Sequence, residues 1–230
     1  MPRYILAVLA LFLTAWLWSW GTVSAPAAPS GQAILDGLSK RYQGLESLSA
    51  SYSRRTQTSL SEGVFQNQAS HLAAGRLTWQ KPASLKLDQT EPGPELLVTD
   101  GQTVWWYLPG EKQVHIYRRL DLAGEMAPLL SFLTSLAELK KSFRIRTAPQ
   151  DGSRPGQWGL ILEPRQKDSA SGQIAAWCDE NFQLTGFDLV SITGEKTAFY
   201  LTGLSTALPD GREFVFQVPR GVKVIEETDQ

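Results

Sequence analysis

Hydrophobic and polar residues alternate with a period of two along most of the chain, a pattern typical of half-buried β-strands. In LSASYSRR, Leu48, Ala50 and Tyr52 alternate with serines, and the pattern continues through segments such as HLAAGRLTWQKP, WGLILEP and EFVFQV. Turn residues separate these runs at DGSRPGQ, DENF, TGEK and PDGR, which predicts that most of the strands form antiparallel hairpins. The sequence therefore predicts a mostly β protein with about eleven strands.

Two segments depart from this pattern and carry apolar residues at helical spacing. The first follows Ser30, a suitable N-cap, and its stripe comprises Ile34, Leu35, Leu38, Tyr42, Leu45 and Leu48. The second starts near Pro128, a favourable first helical residue, and its stripe comprises Leu129, Phe132, Leu133, Leu136 and Leu139. We predict two amphipathic helices packed on the sheet.

The stretch LLVTDGQTVWWYLP at 96–109 combines a turn signal with an unusual strand. Asp100-Gly101 between apolar runs predicts a hairpin with a type I′ turn, since both central residues of that turn need a positive φ. In the strand that follows, Val104 and Trp106 point to one face, whereas Trp105 points to the other. Both faces are thus apolar, and the sequence leaves open which one is turned inward.

The first 27 residues have the composition of an export signal. Arg3 is the last charged residue before Asp36, and an apolar run from Tyr4 to Trp20 precedes a stretch of small residues. This predicts a secretory signal peptide at residues 1–27. An uncleaved membrane anchor is the alternative, because the apolar run is at the short limit for a spanning helix. Residues 28–230 are long enough for one domain with an ample core.

Composition excludes several classes of protein. A net charge of −1 and 42% hydrophobic residues are typical neither of disordered chains nor of nucleic-acid-binding proteins. Cys178 is the single cysteine, so no internal disulfide can form, and stability must come from the sheet and its core.

The sequence lacks the familiar motifs of catalysis. It has no HExxH, no GxSxG and no Walker loop, so we expect no catalytic residues, no metal and no cofactor. The two histidines, His71 and His115, are expected at surface or edge positions. Cys178, beside Trp177 in a predicted strand, is expected to be a small buried hydrophobe rather than a nucleophile.

The apolar surplus is therefore the feature that could carry a function. One interpretation is that the helices fill the sheet as an ordinary core, since apolar stripes usually do so. The other is that they act as a lid over a cavity that holds an apolar ligand.

Three segments favour the second interpretation. GRLTWQKP (75–82), VTDGQTVWWY (98–107) and FVFQVPRGVKV (214–224) resemble, in order and spacing, the G-x-L…RP, V-x-DG…W-x-Y and F-x-F-x-x-P-x-G-V-x-V segments of the periplasmic outer-membrane lipoprotein carrier family (LolA). LILEP at 160–164 is similar to that family's L-x-P strand. The resemblance extends from about Ile34 to Ile225, nearly the whole chain after the predicted leader.

This resemblance implies an unclosed antiparallel β-barrel of about eleven strands, with α-helices covering the mouth as a lid. Members of the family take acylated lipoproteins from an inner-membrane ABC exporter, cross the periplasm and deliver them to an outer-membrane acceptor. By resemblance, this chain is such a periplasmic carrier and not an enzyme. We expect it to be a monomer that binds no nucleic acid.

The resemblance also suggests where cargo binds. The residues that we expect to line the acyl cavity are Leu77, Trp79, Leu85, Leu87, Val104 and Trp106. Those that we expect on the lid helices are Ile34, Leu38, Leu129, Phe132 and Leu133. In the family's G-x-L…RP segment, an arginine precedes the proline, and this arginine resembles a latch for the lid. This chain has Lys81 there, which keeps the charge but loses the planar fork of donors; a solvated strand-end lysine is the alternative.

Physical chemistry limits how such a carrier works. At ~0.8 kcal/mol per buried CH₂, one long acyl chain represents ~12 kcal/mol. A cavity that gained this free energy in full for two or three chains would not release its cargo, since affinities saturate near roughly −18 to −21 kcal/mol. Competition between the lid and the ligand for the same apolar surface would lower the net affinity. Two alternatives stay open: a binder or sensor of another amphiphile, such as a glycolipid, and a hydrolase with inward-facing titratable groups.

Overall fold

The computed structural model describes residues 29–57, 71–118, 141, 143–149, 152, 154–165, 172–191 and 194–227. The predicted leader lies outside the described residues. So does most of the second predicted helix, including Leu129, Phe132 and Leu133.

The first predicted helix is present as α1, Gly31–Arg41, but it is shorter than its apolar stripe suggests. Ser30 caps it as predicted, since the Ser30 hydroxyl accepts a hydrogen bond from Ala33 N at 3.2 Å. The helix ends before Gly44, which has a φ of 72° and so lies in the left-handed region that favours glycine. Tyr42 and Leu45 therefore follow the helix, yet both still pack against the core.

Twelve strands account for most of the described residues. They are β1 Ser47–Gln57, β2 His71–Gln80, β3 Ser84–Glu91, β4 Glu95–Thr99, β5 Val104–Leu108, β6 Gln113–Tyr117, β7 Phe143–Thr147, β8 Trp158–Pro164, β9 Gln173–Cys178, β10 Leu184–Val190, β11 Lys196–Ser205 and β12 Lys223–Glu227. All belong to one sheet in the order β12-β6-β5-β4-β3-β2-β1-β11-β10-β9-β8-β7. The two end strands, β12 and β7, are not paired with each other, so the sheet is unclosed, which confirms the predicted class.

The last part of the chain departs from the predicted antiparallel pattern. β12 pairs with β6 in parallel, and the segment EFVFQV is not a strand. Instead, Gly211–Phe214 forms a short 3₁₀ turn near β3. Phe214 is buried, and Phe216 lies against β5. The alternation of this segment thus serves side-chain packing across the outer face of the sheet rather than strand pairing.

Cross-strand register fixes which residues share a face. Trp79 lies opposite Leu48 on β1 and opposite Leu85 on β3, and all three belong to the main core cluster with α1. We call this side the inner face. A second, smaller cluster lies on the opposite, outer face and comprises Ala148, Ile161, Ala175 and Trp177.

The predicted hairpin at Asp100-Gly101 is present between β4 and β5, but its turn is not type I′. Gly101 has a φ of 95°, whereas Asp100 is not among the residues with positive φ. The Asp100 carboxylate instead accepts hydrogen bonds from Gln102 N and Thr103 N, both at 2.8 Å. The turn therefore has one residue with positive φ instead of two, and hydrogen bonds to the aspartate side chain stabilise it.

Candidate functional site

An apolar wall occupies the inner face of β2 and β3. Leu77 lies opposite Leu87 and Trp79 lies opposite Leu85. Trp79 and Leu85 are fully buried, and Leu87 is 7% exposed. These four predicted cavity residues therefore share one surface, and in this structure that surface is covered.

The α1 helix packs into the same core as this wall. Ile34 and Leu38 are fully buried in the same cluster as the apolar wall. The helix itself contacts β7 and β8. A Cβ on Gly31 would lie 2.7 Å from the carbonyl carbon of Arg146 on β7, so glycine permits this close docking. The helix thus rests on one end of the sheet, and its apolar stripe faces the interior.

The register of β5 answers the question that the sequence left open. Trp106 lies opposite Leu97, which in turn lies opposite Leu87, so Trp106 is on the inner face with Val104. Val104 is 2% exposed and Trp106 is half-buried. On the outer face, the rings of Trp105 and Tyr107 lie 6.3 and 5.7 Å from that of Phe216. The C-terminal segment thus covers the second apolar face.

His115 is not at the surface or edge position that we expected. It is half-buried on β6, opposite Trp106 on the inner face, and the two rings are 5.4 Å apart. Strand β6 is flanked by β5 and β12. The sequence could not show that β12 covers this strand, because their pairing joins distant segments. For His71, the structure gives the strand position, at the start of β2.

Lys81 lies where β2 meets the segment that follows α1. Its ammonium is 3.3 Å from the carboxylate of Glu46, and its backbone N–H donates to Glu46 O at 2.9 Å. The two side chains are 45% and 62% exposed, so water screens the ion pair. The contact nevertheless ties the end of β2 to the connection between α1 and β1.

A cavity of about 710 Å³ opens beside this contact. Its lining includes Glu46, Leu48 and Leu204, together with Tyr42 and Leu45 after α1. Leu48 is the cross-strand partner of Trp79. A cavity with both polar and apolar lining residues therefore leads from the surface near Glu46 towards Leu48 and the covered wall.

A row of polar side chains crosses the other end of the inner face. Arg54 donates from Nη2 to Gln89 Oε1 at 2.9 Å. Gln89 donates from Nε2 to Glu95 Oε2 at 3.1 Å, and Trp106 Nε1 donates to Glu95 Oε1 at 2.7 Å. Sequence reasoning missed this row. Parity puts Arg54 on the same face as Tyr52 and Gln89 on the same face as Leu87, but the contact between them depends on the strand register, which the sequence does not show.

Burial raises two pKa values on the inner face. It raises the pKa of the Cys178 thiol to about 12, with Asp179 adding to the effect. Cys178 is fully buried, as expected of a small hydrophobe. Burial likewise raises the pKa of Tyr52 to about 12, although the charge of Arg54 opposes the shift. Both groups are neutral at ordinary pH.

Other kinds of site can be tested on the same residues. In the described part of the chain, histidine, cysteine and acidic side chains form no group of three suited to a metal ion. Nor does any helix in the described ranges have the length and apolar character to span a membrane.

Comparison with known proteins places this architecture in a family. The model of the family described as outer membrane lipoprotein carrier protein LolA matches residues 43–217. The outer-membrane lipoprotein carrier protein of Vibrio parahaemolyticus is 27% identical over 206 residues, which cover 90% of this chain and 92% of that protein. That of Hahella chejuensis is 28% identical over 212 residues, covering 92% and 97%. A solved LolA superfamily structure from Nitrosomonas europaea is 13% identical, with a TM-score of 0.43, and covers 82% of this chain and 99% of that one. The resemblance seen in the sequence is thereby confirmed: the chain belongs to the LolA family of outer-membrane lipoprotein carrier proteins.

Proposed function

We propose that this protein carries lipoproteins through the periplasm and shields their acyl chains against the inner face of its sheet. The observation that carries this proposal is the family match over residues 43–217. The family is one of carriers rather than of enzymes. An apolar wall that is buried in one core with a helix suits such a task, because exposed acyl chains are strongly disfavoured in water.

The proposed site uses the covered wall. Acyl chains contact Leu77, Trp79, Leu85, Leu87, Val104 and Trp106. Because Trp79 and Leu85 are fully buried, a ligand reaches them only when the cover moves. The residues that we propose to be displaced are Ile34 and Leu38 on α1, with Leu129, Phe132 and Leu133 on the second predicted helix. Binding breaks the contacts between the cover and the wall. Their loss offsets part of the free energy gained by burying the acyl chains, so binding stays reversible.

The remaining steps concern export and transfer. Residues 1–27 act as a signal peptide, and residues 28–230 form the single carrier domain. The carrier receives its cargo from an inner-membrane ABC exporter and delivers it to an outer-membrane acceptor as a monomer. Lys81, paired with Glu46, helps to hold the cover in place until cargo enters.

Native mass spectrometry of the protein purified from its own periplasm tests this function. We expect a bound mass that fragments into a diacylated or triacylated cysteine and its polypeptide. A second measurement follows the release of lipoproteins from inner-membrane vesicles when the purified carrier is added. A co-purified glycolipid, together with no release of lipoproteins, would overturn the proposal in favour of a carrier of another amphiphile.

A further inference from the structure

The polar row on the inner face contains a cation without a counter-ion in the described part of the chain. Arg54 is half-buried on β1, and its hydrogen-bond partner is the neutral amide of Gln89. Its Nε atom is buried and has no hydrogen-bond partner. A buried donor without an acceptor is costly, and more so when it carries charge. An oxygen atom brought by a ligand would remove this cost.

The sheet is built so that Arg54 can reach this position. Its side chain crosses over β2, where the residue directly opposite is Ala73 and the next on the same face is Gly75. A Cβ on Gly75 would lie 2.2 Å from Asp88 O on β3, so that position requires glycine. With so little side chain on β2, the guanidinium can extend from β1 to Gln89 on β3.

The row also holds Arg54 in one orientation. Gln89 gives its carbonyl oxygen to Arg54 and its NH₂ group to Glu95 and to Gly93 O. Glu95 in turn accepts from Trp106. The negative charge of Glu95 is therefore separated from Arg54 by a whole amide group. This arrangement orients the guanidinium without neutralising it directly.

The apolar surface that begins beside Arg54 has the dimensions of an acyl chain. Tyr52, Ala50 and Leu48 follow Arg54 on the inner face of β1 and are all buried. From Arg54 to Leu48 the strand rises by roughly 20 Å, on the order of the length of an extended long-chain fatty acyl group. One end of this track offers charged donors, and the rest offers hydrocarbon. Arg54 and Ala73 also border a cavity of about 430 Å³ at this end of the sheet, although most of the residues that line it belong to the outer face.

We propose that Arg54 binds the oxygen-bearing head of an acyl chain, through a carbonyl or carboxylate oxygen, while the chain lies along the inner face towards Leu48. This inference rests on the proposed carrier function and assigns a direction to the bound acyl chain, with its head at Arg54. The same chemistry occurs in the ester- and amide-linked chains of a lipoprotein and in a free fatty acid.

Binding measurements on delipidated full-length carrier separate these possibilities. The variants are Arg54→Met, which keeps the apolar stem, and Arg76→Met as a matched control, because Arg76 is exposed on the outer face and donates to Ser49. The probes are an N-palmitoylated peptide, sodium palmitate and the headless fluorophore N-phenyl-1-naphthylamine. Thermal unfolding checks that each variant is folded, and loss of a cation without an ion partner is expected to be tolerated.

We expect Arg54→Met to weaken binding of the palmitoylated peptide by about 10- to 100-fold, the effect of one charged hydrogen bond. Binding of the fluorophore by Arg54→Met should be unchanged. Arg76→Met should bind all three ligands as tightly as the unmodified protein does. An effect on palmitate alone would identify the carboxylate of a free fatty acid as the ligand group. Equal binding of both palmitoyl ligands by Arg54→Met and the unmodified protein would overturn the inference, as would a parallel loss of the fluorophore. Failure of the carrier function looks different, because the unmodified protein would then bind neither the fluorophore nor the palmitoylated peptide.

Discussion

Arg154 and Asp188 form a buried ion pair on the outer face of the sheet, with Nη2 of the arginine 2.6 Å from Oδ1 of the aspartate. The same Nη2 donates to Phe199 O at 2.9 Å. The guanidinium lies over the ring of Tyr200 at 4.1 Å and near that of Trp177 at 5.3 Å, where cation–π attraction adds to the pair. Arg154 thereby fastens the segment between β7 and β8 onto β9, β10 and β11.

Removal of the aspartate should be strongly destabilising. Asp188→Ala leaves Arg154 buried without its counter-ion and also removes the partner of Lys196, 3.1 Å away. We expect a loss of roughly 3–5 kcal/mol in the free energy of unfolding, the cost of an uncompensated buried charge. Urea denaturation measures it. The control is Glu226→Ala, which breaks the exposed pair with Arg118 and should cost roughly 0–1 kcal/mol; similar losses in both variants would contradict the prediction.

Gly186 is the residue that makes room for Arg154. A Cβ at this position would lie 2.2 Å from Phe199 O and 2.5 Å from Nη1 of Arg154. Gly186→Ala should therefore displace the guanidinium and destabilise the protein by roughly 2–3 kcal/mol. Gly110→Ala, where the added Cβ would meet nothing within 4 Å, is the matched control and should change the melting temperature little. Equal melting temperatures of the two variants would show that Arg154 does not depend on the space at Gly186.

Lys81 provides a test of the proposed latch. Lys81→Leu removes the ion pair with Glu46 and should cost less than about 1 kcal/mol of stability, since the pair is exposed. The rate at which cargo enters or leaves should nevertheless change. Stopped-flow fluorescence of a labelled palmitoylated peptide measures both rates. Lys81→Arg, which restores the bidentate donor, should slow lid opening relative to the unmodified protein; identical rates in all three proteins would remove Lys81 from the mechanism.

A charge on the inner face should impair cargo binding. Leu85 and Trp79 are fully buried, so a charge there would mainly unfold the protein. Leu97, half-buried on the same face and packed against the core, is the better site. Leu97→Glu should weaken palmitoylated-peptide binding at least tenfold, with a loss of roughly 1–3 kcal/mol in stability. The control is Leu72→Glu, because Leu72 is on the outer face and is 59% exposed. Unimpaired binding by folded Leu97→Glu would show that cargo does not use this surface.

Stability should fall in alkali because two acids are harder to ionise in the folded state. Burial raises the pKa of Cys178 and of Tyr52 to about 12. In the unfolded chain, these groups begin to lose protons near pH 9 and 10 respectively. The unfolded state then binds fewer protons than the folded state, so the free energy of unfolding decreases from about pH 9 towards pH 12. Urea titrations at a series of pH values measure this slope, and Cys178→Ala with Tyr52→Phe should flatten it. An unchanged slope in the double variant would assign the effect to other groups.

Local pattern predicted most of the architecture but not its long-range pairings. Alternation located the strand at Leu48–Tyr52, and capping chemistry placed the helix start at Ser30, because both depend on neighbours in sequence. The strand predicted around Phe216 is wrong, since apolar alternation also suits a segment that packs its side chains across a sheet. The parallel partner of β6 could not be predicted, because loop closure over a long chain leaves no local signal.

The same limit applies to the candidate site. The four wall residues Leu77, Trp79, Leu85 and Leu87 share one surface because strand parity fixes the face of each residue. The polar row could be placed only after register was known. Arg54 and Gln89 are on strands that are separated by β2, and it is the small size of Ala73 and Gly75 that lets them meet. Sequence spacing does not report such a gap.

The parallel pairing of β12 has a consequence for how the chain matures. Lys223 pairs with Gln113, more than a hundred positions earlier, and contacts of such long range form slowly. The edge of β6 therefore stays unpaired until β12 has been synthesised and has docked. A truncated product would present that edge to other chains, where strand addition leads to aggregation. Completion of the sheet by β12 thus makes solubility depend on residues 223–227.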